Sequence, residues 1–272
     1  FSSGTINGVE VYTDVDADGA VGLAYTPPTA WMCAGVEGAV DASGNLVATD
    51  VVVSGTTAYY VTNSNSGAEF YVVDVTTPTA PAILGSLELS ANARSVSLSG
   101  GFAYVATDSN SSELIAVNIA SPSSPTLAGA LNLGGTADLE DVLASGSVAY
   151  LTRSSSGAAE FTIVNISTPT AMTILGSLDL GATSRGVQAL GNYAYVVTDN
   201  TAAEFQVIDM TTLTSPILLA TADLPGSAAA NELDLSGDKA YVITANNATG
   251  SEFHVVDVAD PGAPSVNGSV DL

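Results

Sequence analysis

Asp14-Val-Asp16-Ala-Asp18-Gly19 sets three carboxylates at alternate positions ahead of a glycine. Hard oxygen ligands spaced this way on a tight turn form the first half of a calcium loop, which makes Asp14, Asp16 and Asp18 the metal-ligand candidates of the chain. The second half departs from that pattern, because the twelfth position is Tyr25 rather than Glu. The same residues also suit a plain acidic hairpin turned by Asp18-Gly19. Other reactive chemistry is scarce. His254 is the only histidine, so a multi-histidine metal site is excluded and a Ser-His-Asp triad would have to be built on this one residue. Cys33, the only cysteine, lies in an apolar run beside Trp31 and Met32, as an inert buried thiol would. It can form neither an intramolecular disulfide nor a cysteine-based zinc site. There is no Gly-x-Ser-x-Gly elbow, P-loop or dinucleotide fingerprint. The chain is therefore expected not to be an enzyme and to require no cofactor, with calcium the one candidate ion.

Four Lys and Arg stand against 28 Asp and Glu in 272 residues, a formal net charge of −24. Phosphate neutralisation needs clustered cations, so a nucleic-acid partner is excluded, and attachment to anionic lipid through basic residues is disfavoured. Hydrophobic residues make up 46 % and charged ones only 12 %, enough apolar material for a sizeable core under a surface of Ser, Thr, Asn and Gly. No apolar run reaches the roughly 18 residues of a membrane span, and Phe1-Ser2-Ser3-Gly4 is not a signal peptide. The balance resembles that of exported surface proteins, and an extracellular or cell-surface location is expected.

The elements that must position these residues repeat. Ala-Tyr recurs with its tyrosine at Tyr59, Tyr104, Tyr150, Tyr195 and Tyr241, in steps of 45, 46, 45 and 46. About ten residues on, a glutamate precedes a large apolar residue, as at Glu69-Phe70, Glu113-Leu114, Glu160-Phe161, Glu204-Phe205 and Glu252-Phe253. An apolar run then ends in Asp or Asn (Asp74, Asn118, Asn165, Asp209, Asp257), and a proline turn such as Pro78-Thr-Ala-Pro81 or Pro261-Gly-Ala-Pro264 follows. Each unit holds four short β-rich runs between turn residues, and no segment keeps a helical period. In the second unit the runs are Ser95 to Leu98, Phe102 to Thr107, Leu114 to Ile119 and Thr126 to Leu133, designated a to d.

Four strands in roughly 45 residues is the size of a β-propeller blade, and an all-β propeller is the expected fold. Gly38 to Val51 aligns without a gap on Gly129 to Val142, and Pro28-Thr-Ala echoes Pro169-Thr-Ala. Six blades in a single domain are therefore expected, a divergent one over residues 1–50 and then 51–95, 96–141, 142–186, 187–232 and 233–272. Five blades with an N-terminal extension is the alternative. The repeat resembles the LVIVD family, whose units read Ala-Tyr-Val-Ala, a polar turn, an apolar strand ending in Val-Asp, Pro-x-x-Pro and Val-Gly-Ser. That resemblance implies a propeller in a cell-surface setting, in some members behind a pilin-like N-terminal helix, and assigns no activity to any residue.

Strands alternate in direction, so the b-to-c turns and d-to-a loops of a propeller emerge on one face. Arg94, Arg153 and Arg185 map there among Asp138, Glu140, Asp141 and Glu232. These seven residues are the candidate ligand-binding face; alternatively, the arginines simply pair with the carboxylates. The leading expectation is a non-enzymatic extracellular module for adhesion, recognition or scaffolding, whose partner is a protein or glycan on a cell surface. The alternatives are a self-assembling subunit or head of an extracellular filament or envelope array, partnered by copies of itself, and, more remotely, a polysaccharide lyase or hydrolase using Glu140 and Asp141.

The calcium candidate generates the first prediction. An ion that binds only the folded state at about 100 times its Kd stabilises by about 2.7 kcal/mol. The melting temperature is expected to rise with calcium, and the rise to vanish on Asp16→Ala. If magnesium reproduces the rise in full, only an acidic hairpin is left.

Overall fold

Valine, tyrosine and isoleucine alternate with alanine and threonine through every repeat, which gives strands that are apolar on both faces. The computed structural model describes residues 38–42, 47–63, 67–155, 157–245 and 250–271, and the backbone of three strands upstream of them. The chain divides into two units, Phe1–Ala39 and Val40–Leu272. In the first, β1 (Ser2–Ile6), β2 (Val9–Val15) and β3 (Val21–Ala24) make an antiparallel sheet of three strands in that order. The backbone of Asp14 belongs to β2, whereas Asp16, Asp18 and Cys33 lie outside the described residues.

The second unit is five four-stranded antiparallel sheets. The first is β4 (Val47–Ser54), β5 (Thr57–Asn63), β6 (Phe70–Asp74) and β7 (Ala82–Leu87). The second is β8 (Ala93–Ser99), β9 (Phe102–Thr107), β10 (Leu114–Asn118) and β11 (Thr126–Leu131). The third is β12 (Leu139–Ser145), β13 (Val148–Arg153), β14 (Phe161–Asn165) and β15 (Thr173–Leu178), with a short 3-10 turn at Pro169–Ala171. The fourth is β16 (Ser184–Leu190), β17 (Tyr193–Thr198), β18 (Phe205–Asp209) and β19 (Ile217–Ala222). The fifth is β20 (Ala230–Ser236), β21 (Lys239–Thr244), β22 (Phe253–Asp257) and β23 (Ser265–Val270). The inner strands β4, β8, β12, β16 and β20 pack one on the next in that order.

Among the described residues there are therefore five four-stranded blades and not the six expected, and β1, β2 and β3 form a three-stranded sheet of their own. The similarity of Gly38–Val51 to Gly129–Val142 lies in small and turn residues. Ala42 stands where Leu133 packs against the core, and 38–42 is irregular rather than an outer strand.

Neighbouring sheets pack an aromatic-bearing face on an aliphatic one. Tyr59, Val61, Phe70 and Val72 of the first sheet pack against Ala103, Val105, Ile115 and Val117 of the second. Tyr195, Val197, Phe205 and Val207 of the fourth meet Ala240, Val242 and Val256 of the fifth in the same way. Each large side chain so buried is worth about 1.5–3 kcal/mol. The repeated aspartate or asparagine at the end of each third strand accepts a hydrogen bond from the amide two residues on, as Asp74 does from Thr76 and Asn165 from Ser167, and so starts the proline loop. That loop then covers the outer strand of the preceding sheet. A Cβ on Gly85 would lie 2.7 Å from Pro122 O, one on Gly129 would strike Pro169 O, and one on Gly176 would strike Leu213 O. Gly268 holds the same register in the fifth sheet and would meet nothing.

Within the second unit no further sheet packs beyond the fifth. Tyr241, Ile243 and Val270 are exposed where Tyr195 and Val197 of the fourth sheet are buried. On β4, Val51 is 60 % exposed against 5 % for its counterpart Val96, and β4 and β20 lack the close packing that joins the other neighbouring inner strands.

Gly129→Ala must displace backbone and is expected to destabilise by about 1–3 kcal/mol, whereas Gly268→Ala should stay within about 0.5 kcal/mol of the parent. Denaturant melts of the two variants, side by side, check this.

Candidate recognition site at the channel mouth

An inner strand has a sequence partner on one side only. Its other edge faces the next blade without a ladder, so its amides need acceptors from elsewhere. Carboxylates supply them across the blades. Asp50 Oδ2 accepts from Val96 N at 2.8 Å, and Asp141 Oδ2 accepts from Val187 N at 3.0 Å, in each case 46 residues on. Asp141 Oδ1 also accepts from Ser95 Oγ at 2.6 Å and Val142 N at 2.7 Å. The corresponding position is Gly186 in the fourth sheet and Glu232 in the fifth. Glu232 Oε1 accepts from Leu233 N at 2.9 Å and lies where a Cβ on Gly186 would fall.

One residue before each of these, the pairing slips. Between Ala48 and Asp50, Ala93 and Ser95, Leu139 and Asp141, Ser184 and Gly186, and Ala230 and Glu232, the inner strand carries one more residue than its partner. The extra residues are Thr49, Arg94, Glu140, Arg185 and Asn231, a bulge at the same height in all five sheets. Bulges re-aim side chains out of the pleat. Here Arg94 reaches Asp138 Oδ2 at 2.7 Å and Glu140 Oε2 at 2.9 Å. Below this tier, Asp50, Ser95, Ser97, Asp141, Gln188 and Glu232 help to line a cavity of about 360 Å³ to which all five inner strands contribute.

Burial dominates the electrostatics of the mouth. It raises the carboxyl pKa of Glu140 against the lowering effect of Arg94 and Arg185, and raises that of Asp141 against its three hydrogen bonds. Glu232 is pushed up to about 7, first by desolvation of its carboxylate and then by the charges of Asp141, Asp50 and Asp234, against the lowering effect of the Leu233 amide. Among the described residues no three His, Cys, Asp or Glu side chains are arranged to hold a metal ion.

The structure brings Arg94, Asp138, Glu140, Asp141, Arg185 and Glu232 to one end of the inner strands but withdraws Arg153. That guanidinium is buried, donates from Nη2 to Gly134 O at 2.6 Å and Ala137 O at 3.3 Å, and lies 3.9 Å from Glu113 Oε1. Its counterparts are Thr62, Thr107, Thr198 and Thr244, whose hydroxyls donate to the carbonyl before the repeated glutamate. The repeated glutamates are also internal. Glu69, Glu113, Glu160 and Glu204 accept from the amides of Leu89, Leu133, Leu180 and Leu224, each 20 residues on, and so hold the loop that leads into the next blade. His254 is buried, with Nδ1 2.8 Å from Ser269 Oγ; burial lowers its pKa, so the ring is a neutral packing element. The lining residues Ser97 and Gln188 carry no sequence signal of their own, whereas Asp50 falls on this face by its place in the loop before Val51.

Sheets in sequence order, packed inner strand on inner strand around a common cavity, define a β-propeller-type repeat protein. Solved structures share this fold. A protein from Lactobacillus plantarum superposes with a TM-score of 0.72 at 13 % identity, over 96 % of this chain and 78 % of that one. The β-propeller domain of Cps50 (Swd1) from Myceliophteria thermophila gives 0.59 at 14 % identity, over 84 % and 74 %. The computationally designed Ika8 protein gives 0.60 at 14 % identity over 82 % of this chain, which spans only 61 % of the designed one. No curated protein matches in sequence. The LVIVD repeat matches residues 47–88, 90–132, 135–179, 181–223 and 227–272, and the chain belongs to the LVIVD repeat family.

With its pKa raised from 4.5 to about 7, Glu232 keeps in the folded state a proton that the unfolded chain releases. Its contribution to stability therefore falls as pH rises from about 4.5 to 7. Glu232→Gln is expected to leave the melting temperature nearly unchanged at pH 4.5 and to raise it by a few degrees (~2–4 °C) at pH 8. Melts of both proteins across that range measure the difference.

Proposed function

We propose that the chain is a non-enzymatic recognition module displayed outside the cell, which meets its ligand, a protein or glycan, at the charged mouth of the propeller. One observation carries this reading: the same bulge in five successive inner strands sets Arg94, Glu140 and Arg185 around the entrance of one cavity. Five coincident irregularities spend regular pairing on aiming side chains, and binding groups commonly stand on such features of a rigid scaffold. Asp141, the acid best placed for general acid-base work, is engaged by three donors, which favours binding over turnover. The extracellular setting rests on composition, with 28 acidic residues, four basic ones and a single cysteine. No described helix is long and apolar enough to cross a membrane.

A second reading, self-association, is favoured by the uncovered apolar side chains Val51 and Val53 of β4 and Tyr241, Ile243 and Val270 of the fifth sheet. Sedimentation across salt separates it from the first, since apolar association strengthens with salt as the −24 charge is screened.

To test recognition, the purified chain is screened on glycan and extracellular-protein arrays beside Asn231→Trp, which fills the mouth from an exposed bulge position. Retention that falls at least tenfold in the variant at unchanged melting temperature is the expected result. Equal retention by both proteins moves recognition away from the mouth.

A further inference from the structure

Arg185 stands apart from the other cations. Arg94 is held by Asp138 and Glu140, Arg153 by backbone carbonyls beside Glu113, and Lys239 by Asp238 and Asp257. Arg185 makes no side-chain hydrogen bond or ion pair among the described residues and meets Glu140 only through its charge; its Nε, like that of Arg153, is buried without a partner. In a chain with 28 acidic side chains, an unpaired guanidinium is not explained by a shortage of carboxylates. A buried unsatisfied donor is unfavourable and calls for an explanation outside the fold's own bonding. Arg185 is the bulged residue of β16, beside Gly186 and one sheet on from Glu140, and so belongs to the tier above the cavity.

The chemistry around it is lopsided. Asp50 and Asp141 only accept hydrogen bonds when ionised, so a molecule entering the cavity must present donors to them. Arg185 only donates, in a planar fork that matches a carboxylate. Donors on one side and a single carboxylate on the other describe a polyhydroxylated acid. A phosphate would bring a second negative charge among these acids, and a polyanion would meet the field of a −24 chain. A cavity of about 360 Å³ has room for one sugar ring.

We propose that Arg185 anchors the carboxylate of a sugar acid, a uronate, whose hydroxyls donate to the carboxylates and serine hydroxyls of the cavity below. This rests on the reading of the mouth as the recognition surface and names the class of ligand it takes.

The test is an NMR titration of the whole chain at low salt with glucuronate, glucose and acetate as probes, repeated on Arg185→Gln and Arg185→Lys. Glucuronate is expected to bind at least tenfold tighter than glucose or acetate, because acetate lacks the hydroxyls and glucose the carboxylate. Arg185→Gln should reduce glucuronate to the level of glucose, and Arg185→Lys should recover part of the difference. Among the described residues the guanidinium makes no hydrogen bond and acts on Glu140 only through its charge, so both variants should melt within about 2 °C of the parent. Equal binding of glucuronate and glucose, undiminished glucuronate binding in Arg185→Gln, acetate binding as tight as glucuronate, or no glucuronate binding overturns the inference. Glucose binding that Asn231→Trp abolishes and Arg185→Gln leaves intact overturns it while keeping the mouth as the recognition surface. If glucuronate fails to bind, recognition itself is decided by the array screen and not by this titration.

Discussion

The unpaired inner edge of each sheet is the constraint from which the rest of the architecture follows. A strand at the axis has no ladder on its far side, and its amides cannot be left dry. Asp50 and Asp141 answer this by reaching to Val96 and Val187, one repeat further on. Because those bonds cross from one sheet to the next, they fix how far the inner strands advance, and the repeat length of 45 or 46 residues is held to a common height at the axis. The carboxylates at the mouth therefore serve two ends: Asp50 and Asp141 tie blades together, and they line the cavity with hydrogen-bond acceptors.

The outer parts of each blade obey a second geometric rule. Packing an aromatic-bearing face on an aliphatic one lets successive sheets nest while their outer strands diverge. The glycines at Gly85, Gly129 and Gly176 admit the next blade's proline loop to backbone contact. The internal glutamates do for the loops what the axial aspartates do for the inner strands, since Leu89, Leu133, Leu180 and Leu224 would otherwise present unpaired amides. Acidic residues in this chain are thus largely backbone acceptors, which explains how so few cations suffice.

Much of this was legible in the sequence. The Ala-Tyr step and the glutamate ten residues later located the strands: β9 runs over Phe102–Thr107 as the pattern predicts, and β8 begins two residues ahead of Ser95. The number of blades was not legible, because Gly38–Val51 resembles Gly129–Val142 in residues that turns and strand ends both accept, and backbone pairing alone tells them apart. The bulges were hidden for a similar reason, since Thr49, Arg94, Glu140, Arg185 and Asn231 form no repeating residue type. Arg153 was misread because its place in a b-to-c turn suggests exposure, although the threonines at the same register mark an inward position.

The uncovered flank of the fifth sheet has a consequence for motion. In a stack where each sheet touches only its neighbours, stability is close to a sum of nearest-neighbour interfaces. The fifth sheet has such an interface on one side alone, through Ala240, Val242 and Val256. Its amides are the ones to exchange with solvent through local opening, while those of the third sheet, clamped on both sides, wait for global unfolding. Glu232 rides on this looser end, whereas Arg94, Glu140 and Arg185 stand on the three sheets between the ends. The arginines thereby stand on the firmly held central sheets, while the walls at the two ends of the stack, with Asp50 and Glu232, are the ones to yield.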